Sequence, residues 1–111
     1  MKFGYAFVWV EDVEDTVRFY EEAFGVERRF IPDNGEFGLY AEMKTGETTL
    51  AIADEKEACT PFPNGYHEND PSPPPSAFQI SFVTEDVEAT YEHAMRSGAI
   101  EMSKLITQPW R

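Results

Sequence analysis

The sequence is poor in the residues that carry most metal, redox and nucleophilic chemistry. Cys59 is the only cysteine in 111 residues, so no intrachain disulfide can form, and a reducing cytoplasmic setting is expected. Histidine occurs only at His67 and His93. Neither stands beside a nucleophile in any strand-and-loop pattern, so no Ser-His-Asp arrangement is legible. Basic residues are also scarce, 9 against 21 acidic, for a net charge of −12. A chain of that charge repels the phosphate backbone, and nucleic acid is not an expected partner. Its acidity reads as a solvated surface and also suits a cationic ligand. No apolar run is long enough to span a bilayer. The opening "MKFGYAFVWV" has one basic residue and no small-residue cleavage site, so it reads as a strand of the mature protein, and no membrane partner is expected.

What is present is apolar and aromatic: 41% hydrophobic residues, with aromatics alone at 14%. That supports one domain with a buried core and rings left over to line a cavity. Residues 3–10, "FGYAFVWV", combine rings with β-branched side chains and predict a strand. Asp12 then offers a helix N-cap, Glu14 and Asp15 suit the first turn, and Val13, Val17, Tyr20 and Phe24 recur at helical spacing. Gly25 is placed to end that helix. Strands are predicted at "VERRFIP", "FGLYAEM" and "TTLAIAD", separated by the turns "PDNGE" and "KTGE".

The stretch "TPFPNGYHENDPSPPPSA" holds most of the chain's eight prolines and has no periodicity, and it is expected to be a plain connector. The first pattern then restarts. "AFQISFV" predicts a strand, and Asp86 caps a helix striped by Val87, Tyr91 and Met95 with Ala94 beside it. Gly98 ends that helix, and "IEMSKLI" predicts another strand. "EDVEDT" at 11–16 returns as "EDVEAT" at 85–90, which marks two copies of one supersecondary unit.

The segment "VEDVEDTVRFYEEAFGVE" resembles the strand-to-helix pattern D-x6-F-Y-x4-G of the vicinal oxygen chelate superfamily: glyoxalase I, extradiol dioxygenases, and the bleomycin and fosfomycin resistance proteins. "TGETTLAIA" resembles the end of that family's first module, and "FQISFVTEDVEATYEHAMRSGAIE" the start of its second. "QPW" resembles its Pro-Trp-Gly turn, with Arg111 where glycine would follow. The resemblance implies an α+β fold of paired βαβββ modules whose curved sheets form a cleft. The expected organisation is a first module over about 1–54, the Pro-rich connector over 55–76 and an incomplete second module over 77–111.

The repeat serves as an alignment ruler. It pairs Tyr5 with Gln79, Phe7 with Ser81 and Trp9 with Val83, and it sets Phe78, Ile80 and Phe82 against Gly4, Ala6 and Val8. The second set reads as the helix-packed face, which leaves the Tyr5/Gln79 face for the cleft. In metal-dependent relatives those two positions carry the first ligand of each module. A phenol binds a divalent ion well only after losing a proton of pKa about 10, and a lone amide oxygen is a weak ligand. A third ligand would come from around Leu50 to Ala53, where "TLAIA" has no His, Glu or Asp. No metal, cofactor or catalytic residue is therefore assigned.

The candidate ligand-binding residues are Tyr5, Phe7, Trp9, Phe37, Tyr40, Gln79, Ser81 and Trp110. The leading expectation is a metal-free small-molecule binder whose aromatic cleft takes a cationic or planar ligand. One alternative is a metal-dependent lyase or dioxygenase of the same superfamily. Another is an assembly protein that uses the aromatic face as an interface. An incomplete second module would leave a sheet edge open, so a homodimer or higher homo-oligomer is expected.

Overall fold

A computed structural model describes residues 1–29, 40–72 and 74–106. The chain begins with strand β1 (Tyr5–Val10), helix α1 (Val13–Phe24) and three strands, β2 (Glu27–Arg29), β3 (Tyr40–Lys44) and β4 (Thr49–Asp54). A single 3-10 turn at Glu55–Glu57 follows, and helix α2 (Val87–Arg96) comes later. The first five elements form one βαβββ unit, and the architecture is α+β.

Local chemistry sets the ends of α1. Asp12 is extended, at φ −132° and ψ 104°, and its Oδ1 accepts the backbone N–H of Asp15 at 3.0 Å. Glu14 and Asp15 sit in the first turn, where the helix dipole favours negative charge. Gly25 stops the helix at φ 67°, a left-handed conformation costly for residues with a Cβ, and donates its N–H to the Glu21 carbonyl at 3.0 Å.

The sheet runs in the order β1-β4-β3-β2, with β1 and β4 parallel and the other pairs antiparallel. All six residues of the inner strand β4 are buried. Leu50 and Ile52 of β4 and Met43 of β3 form the core with Val13 and Val17 of α1, and Ala6, Val8 and Val10 of β1 pack against it. Each of the five buried side chains of that core contributes about 2 kcal/mol on leaving water. Period-two alternation turns Tyr5 and Phe7 away from that core, and they are about half exposed.

The second half differs from expectation. α2 begins as α1 does, with Asp86 Oδ1 accepting the Ala89 N–H at 3.0 Å. It ends at Arg96 with Ser97 as its C-cap, and Gly98 follows at φ 110°. The strands predicted over 77–83 and within 100–106 are not formed: no ladder includes these residues among those described. A strand exists only through a hydrogen-bonded neighbour. Among the described residues β1 has a ladder only with β4, and the Asn69 side-chain amide donates to its Trp9 carbonyl at 2.7 Å. The segment is held by side chains instead. Phe82 packs on Phe24 at a ring distance of 4.8 Å and on Tyr20 at 6.2 Å. The helix-side placement thus holds for Phe82, whereas Phe78 points to the other side of the molecule, next to Phe7 and Trp9.

Candidate functional site

The face of the sheet opposite α1 gathers most of the aromatic residues of the first strands. Tyr5, Phe7 and Trp9 follow one another at period two, so their rings stand in a row. Tyr5 and Phe7 are 5.9 Å apart with planes 29° apart, and Phe7 and Trp9 are 5.8 Å apart with planes 16° apart. Phe7 is paired in register with Ala51 of β4, and Trp9 with Ala53. Those two alanines are 0% and 3% exposed. Tyr40 of β3 also pairs with Ala53, and its ring reaches Phe7 at 6.2 Å. The small side chains of β4 let rings from both neighbouring strands meet above them, and a longer side chain at 51 or 53 would push them apart.

A polar network lies beside the rings. Glu42 pairs with Ala51 on one side and with Arg29 on the other. The Tyr40 hydroxyl donates to Glu42 Oε2 at 2.7 Å, and Arg29 Nη1 donates to Glu42 Oε1 at 3.1 Å. The same Arg29 nitrogen reaches Thr49 Oγ1 at 3.5 Å. Burial, then the bond to Glu42 and that carboxylate's charge, push the Tyr40 phenol well above its ordinary value. It therefore stays protonated, a hydrogen-bond donor on the floor of the face.

The connector closes one side. Turns at Ala58–Phe62 and Phe62–Gly65 present Phe62 edge-on to Trp9 at 6.0 Å, and Tyr66 lies against Phe62 at 6.0 Å. The Tyr66 hydroxyl donates to the Glu55 carbonyl at 3.2 Å. With the Asn69 bond to Trp9, these contacts make the stretch a strap anchored along β1, where a plain connector was expected. Phe7, Trp9, Phe62, Tyr66 and Phe78 bound a cleft of about 260 Å³. A second cavity of about 750 Å³ adjoins it, and His67, Asn69 and Ser76 line both.

The structure brings Tyr5, Phe7, Trp9 and Tyr40 together. Phe37 and Trp110 lie outside the described residues. Gln79 and Ser81 are exposed and bond to each other at 3.0 Å, and Ser76 and Phe78 line the cleft in their place. Arg29, Glu42, Phe62, Tyr66 and Asn69 were not anticipated. Glu42 lies two residues beyond Tyr40 on the same strand face, so period two could have found it, whereas the rings at 62 and 66 lie in a proline-rich stretch with no pattern to place them.

The positions that would hold a family metal do not fit one. Tyr5 is 53% exposed and stacked on Phe7, Gln79 is bonded to Ser81, and β4 offers only Thr49, Ala51 and Ala53 to this face, none of them a carboxylate, imidazole or thiol. Among the described residues no group of three His, Cys, Asp or Glu side chains is placed to hold a metal ion. None of the described helices is long and apolar enough to cross a membrane.

The sequence matches the model of one protein family, "Glyoxalase/Bleomycin resistance protein/Dioxygenase superfamily", over residues 2–111. No curated protein matches it. Among solved structures it is similar to a hypothetical protein from S. aureus, at TM-score 0.71 and 18% identity over 97% of this chain and 78% of that one. It is similar to a glyoxalase-related enzyme from Fulvimarina pelagi, at TM-score 0.66 and 17% identity over 88% of this chain and 66% of that one. A glyoxalase/bleomycin resistance protein/dioxygenase family enzyme from Burkholderia phytofirmans gives TM-score 0.61 and 15% identity over 86% of this chain and 72% of that one. At these identities the likeness establishes the fold.

Proposed function

Because the chain belongs to the glyoxalase/bleomycin resistance protein/dioxygenase superfamily, we propose that it binds a small molecule on the aromatic face of its sheet, without a metal. One observation carries this reading. Tyr5, Phe7 and Trp9 form an aligned row, its first two rings about half exposed, that continues into a cleft walled by Phe62 and Tyr66. Rings held at fixed spacing by a sheet offer a rigid stacking surface that costs little entropy to use. Tyr40, Glu42 and Arg29 supply donors and an acceptor beside it, the mixture of apolar wall and few polar groups that small-molecule sites use. The polar trio also separates this face from a purely apolar packing surface.

A thermal-shift screen of planar compounds, with and without positive charge, tests the proposal. Ligands that stabilise the wild type should lose that effect in Tyr5→Ala and Trp9→Ala. A hit unaffected by both substitutions would place binding elsewhere. Elemental analysis of protein purified without chelator tests the metal-free part: a stoichiometric transition metal would favour a lyase or dioxygenase.

A second reading rests on the exposure of Tyr5 and Phe7 at 53% and 47%. We propose that the protein is a homodimer or higher oligomer, with this face in reach of the contact. Light scattering at micromolar concentration decides it, and a monomeric mass would overturn it. An oligomer lost in Tyr5→Ala, with no ligand found, would favour assembly as the role of the face.

A further inference from the structure

We infer that the cleft takes an organic ammonium compound, its flat part against Phe7 and Trp9 and its cationic nitrogen at the Trp9–Phe62–Tyr66 end. The inference rests on the small-molecule reading and specifies its ligand class. Three observations lead to it.

The first is the ring geometry. Phe62 meets Trp9 at 75° and Tyr66 meets Phe62 at 40°, with both ring distances 6.0 Å. The rings therefore turn a corner and present faces in different directions. A cation over such faces is attracted by the negative charge of each π-system, most strongly for tryptophan.

The second is the charge around that corner. The cavity adjoining the cleft is lined by Glu11, Glu55, Glu68 and Asp70, and no lysine or arginine lines either space among the described residues. None of these four carboxylates is in an ion pair with a described residue. Among the described residues the arginine and lysine ion pairs lie elsewhere, on α1, β2 and β3. Partial desolvation, then the charges of Glu68, Glu11 and Asp54, raise the Glu55 carboxyl. The Tyr66 phenol is raised by desolvation and then by Glu55 and Glu68. Glu55 is thus repelled by Glu68 and Glu11, whereas Asp70 accepts the Ser72 N–H at 2.8 Å, and a cation placed beside Glu55 would relieve that repulsion.

The third observation sorts organic from inorganic cations. No described group of side chains is arranged to hold a metal ion. A small inorganic ion keeps its water and gains little from rings, whereas an alkylated ammonium is weakly hydrated and matches an apolar wall. The 260 Å³ of the cleft suits a small aryl-alkylammonium group, and the 750 Å³ beyond His67 and Asn69 leaves room for a longer body.

The test is an NMR titration of the whole chain, followed at the Trp9 indole N–H, with three single-ring probes that differ in charge. These are benzyltrimethylammonium, benzyl alcohol and benzoate, with magnesium chloride as the inorganic control. Benzyltrimethylammonium should bind roughly tenfold more tightly than benzyl alcohol at low ionic strength, and benzoate most weakly. The double substitution Glu55→Gln, Glu68→Gln should weaken the cation about fivefold and leave benzyl alcohol unchanged. Tyr66→Leu should weaken the cation more than the alcohol. Near-UV circular dichroism confirms that each variant is folded. If benzyl alcohol binds as tightly as the cation and depends on Trp9, the ammonium inference fails and the small-molecule reading stands. If magnesium displaces the cation, the site is one for inorganic ions and the inference fails. If no aromatic probe perturbs Trp9, both fail together.

Discussion

The two halves of this molecule begin alike and end differently. Asp12 and Asp86 occupy the same place in the repeated phrase, and each caps its helix with a 3.0 Å bond to the N–H three residues on. One residue later the likeness stops. Val13 is 3% exposed, while its counterpart Val87 is 53% exposed. The first helix has a four-stranded sheet to cover, whereas the second packs on α1 and has no strand of its own among the described residues. The same local signal therefore yields the same helix, and what the helix is worth depends on its neighbours.

Four measurements sharpen that contrast, beginning with the largest effect. Ile52→Ala, at a site with 0% exposure, should cost about 3 kcal/mol in urea denaturation. Ile100→Ala in the second half, 68% exposed, should stay within about 0.5 kcal/mol. Next, Val13→Ala should cost about 2 kcal/mol and Val87→Ala about 0.5 kcal/mol or less. Equal costs would mean that α2 is covered as fully as α1. The caps come third. Asp12→Ala and Asp86→Ala should each remove about 1 kcal/mol of local helix stability. Hydrogen exchange should report the Asp12 loss across the whole sheet and the Asp86 loss mainly within α2.

The smallest effect concerns an ion pair that the second half lacks. Arg28 grips Glu14 with two bonds, at 2.9 Å and 2.8 Å, and ties α1 to β2. The same offset puts Met102 where Arg28 would be and Glu88 where Glu14 would be. The Arg28 hydrogen bond holds the Glu14 carboxyl below its ordinary 4.5 against an opposing desolvation. Its folded value being the lower one, the contribution is present above that ordinary value and fades as pH falls through the folded one. Both side chains are more than a third exposed, and solvent screening keeps the pair to a few tenths of a kcal/mol. Glu14→Gln should lower the urea midpoint slightly at pH 7 and not at pH 3. Glu88→Gln should leave it unchanged at both.

The contrast also explains what the sequence made legible. Helix ends were readable because a cap is local: Asp12, Gly25 and Asp86 act on residues within one turn. The two faces of β1 were readable from alternation alone, and with them Tyr5, Phe7 and Trp9. The strand expected over 77–83 had the right composition but no partner, and a ladder is a relation between two segments. Arg29 and Glu42 escaped notice for a similar reason. Each is an ordinary charged residue until the β2–β3 register sets one opposite the other. Phe62 and Tyr66 lie in a stretch whose prolines erase any period, so nothing indicated that they would fold back on Trp9.

The pairing of Tyr5 with Thr49 has a consequence for how the chain acquires its shape. The β1–β4 pairing joins the strands furthest apart in the chain, so it carries the largest loop-closure cost in the sheet and is expected to be slow to form. Until then three neighbouring aromatic residues of β1 are unpartnered in a growing chain, a condition that invites association between nascent copies. The surrounding acidity, at a net −12, then acts in time as well as in space, keeping copies apart until the register is found.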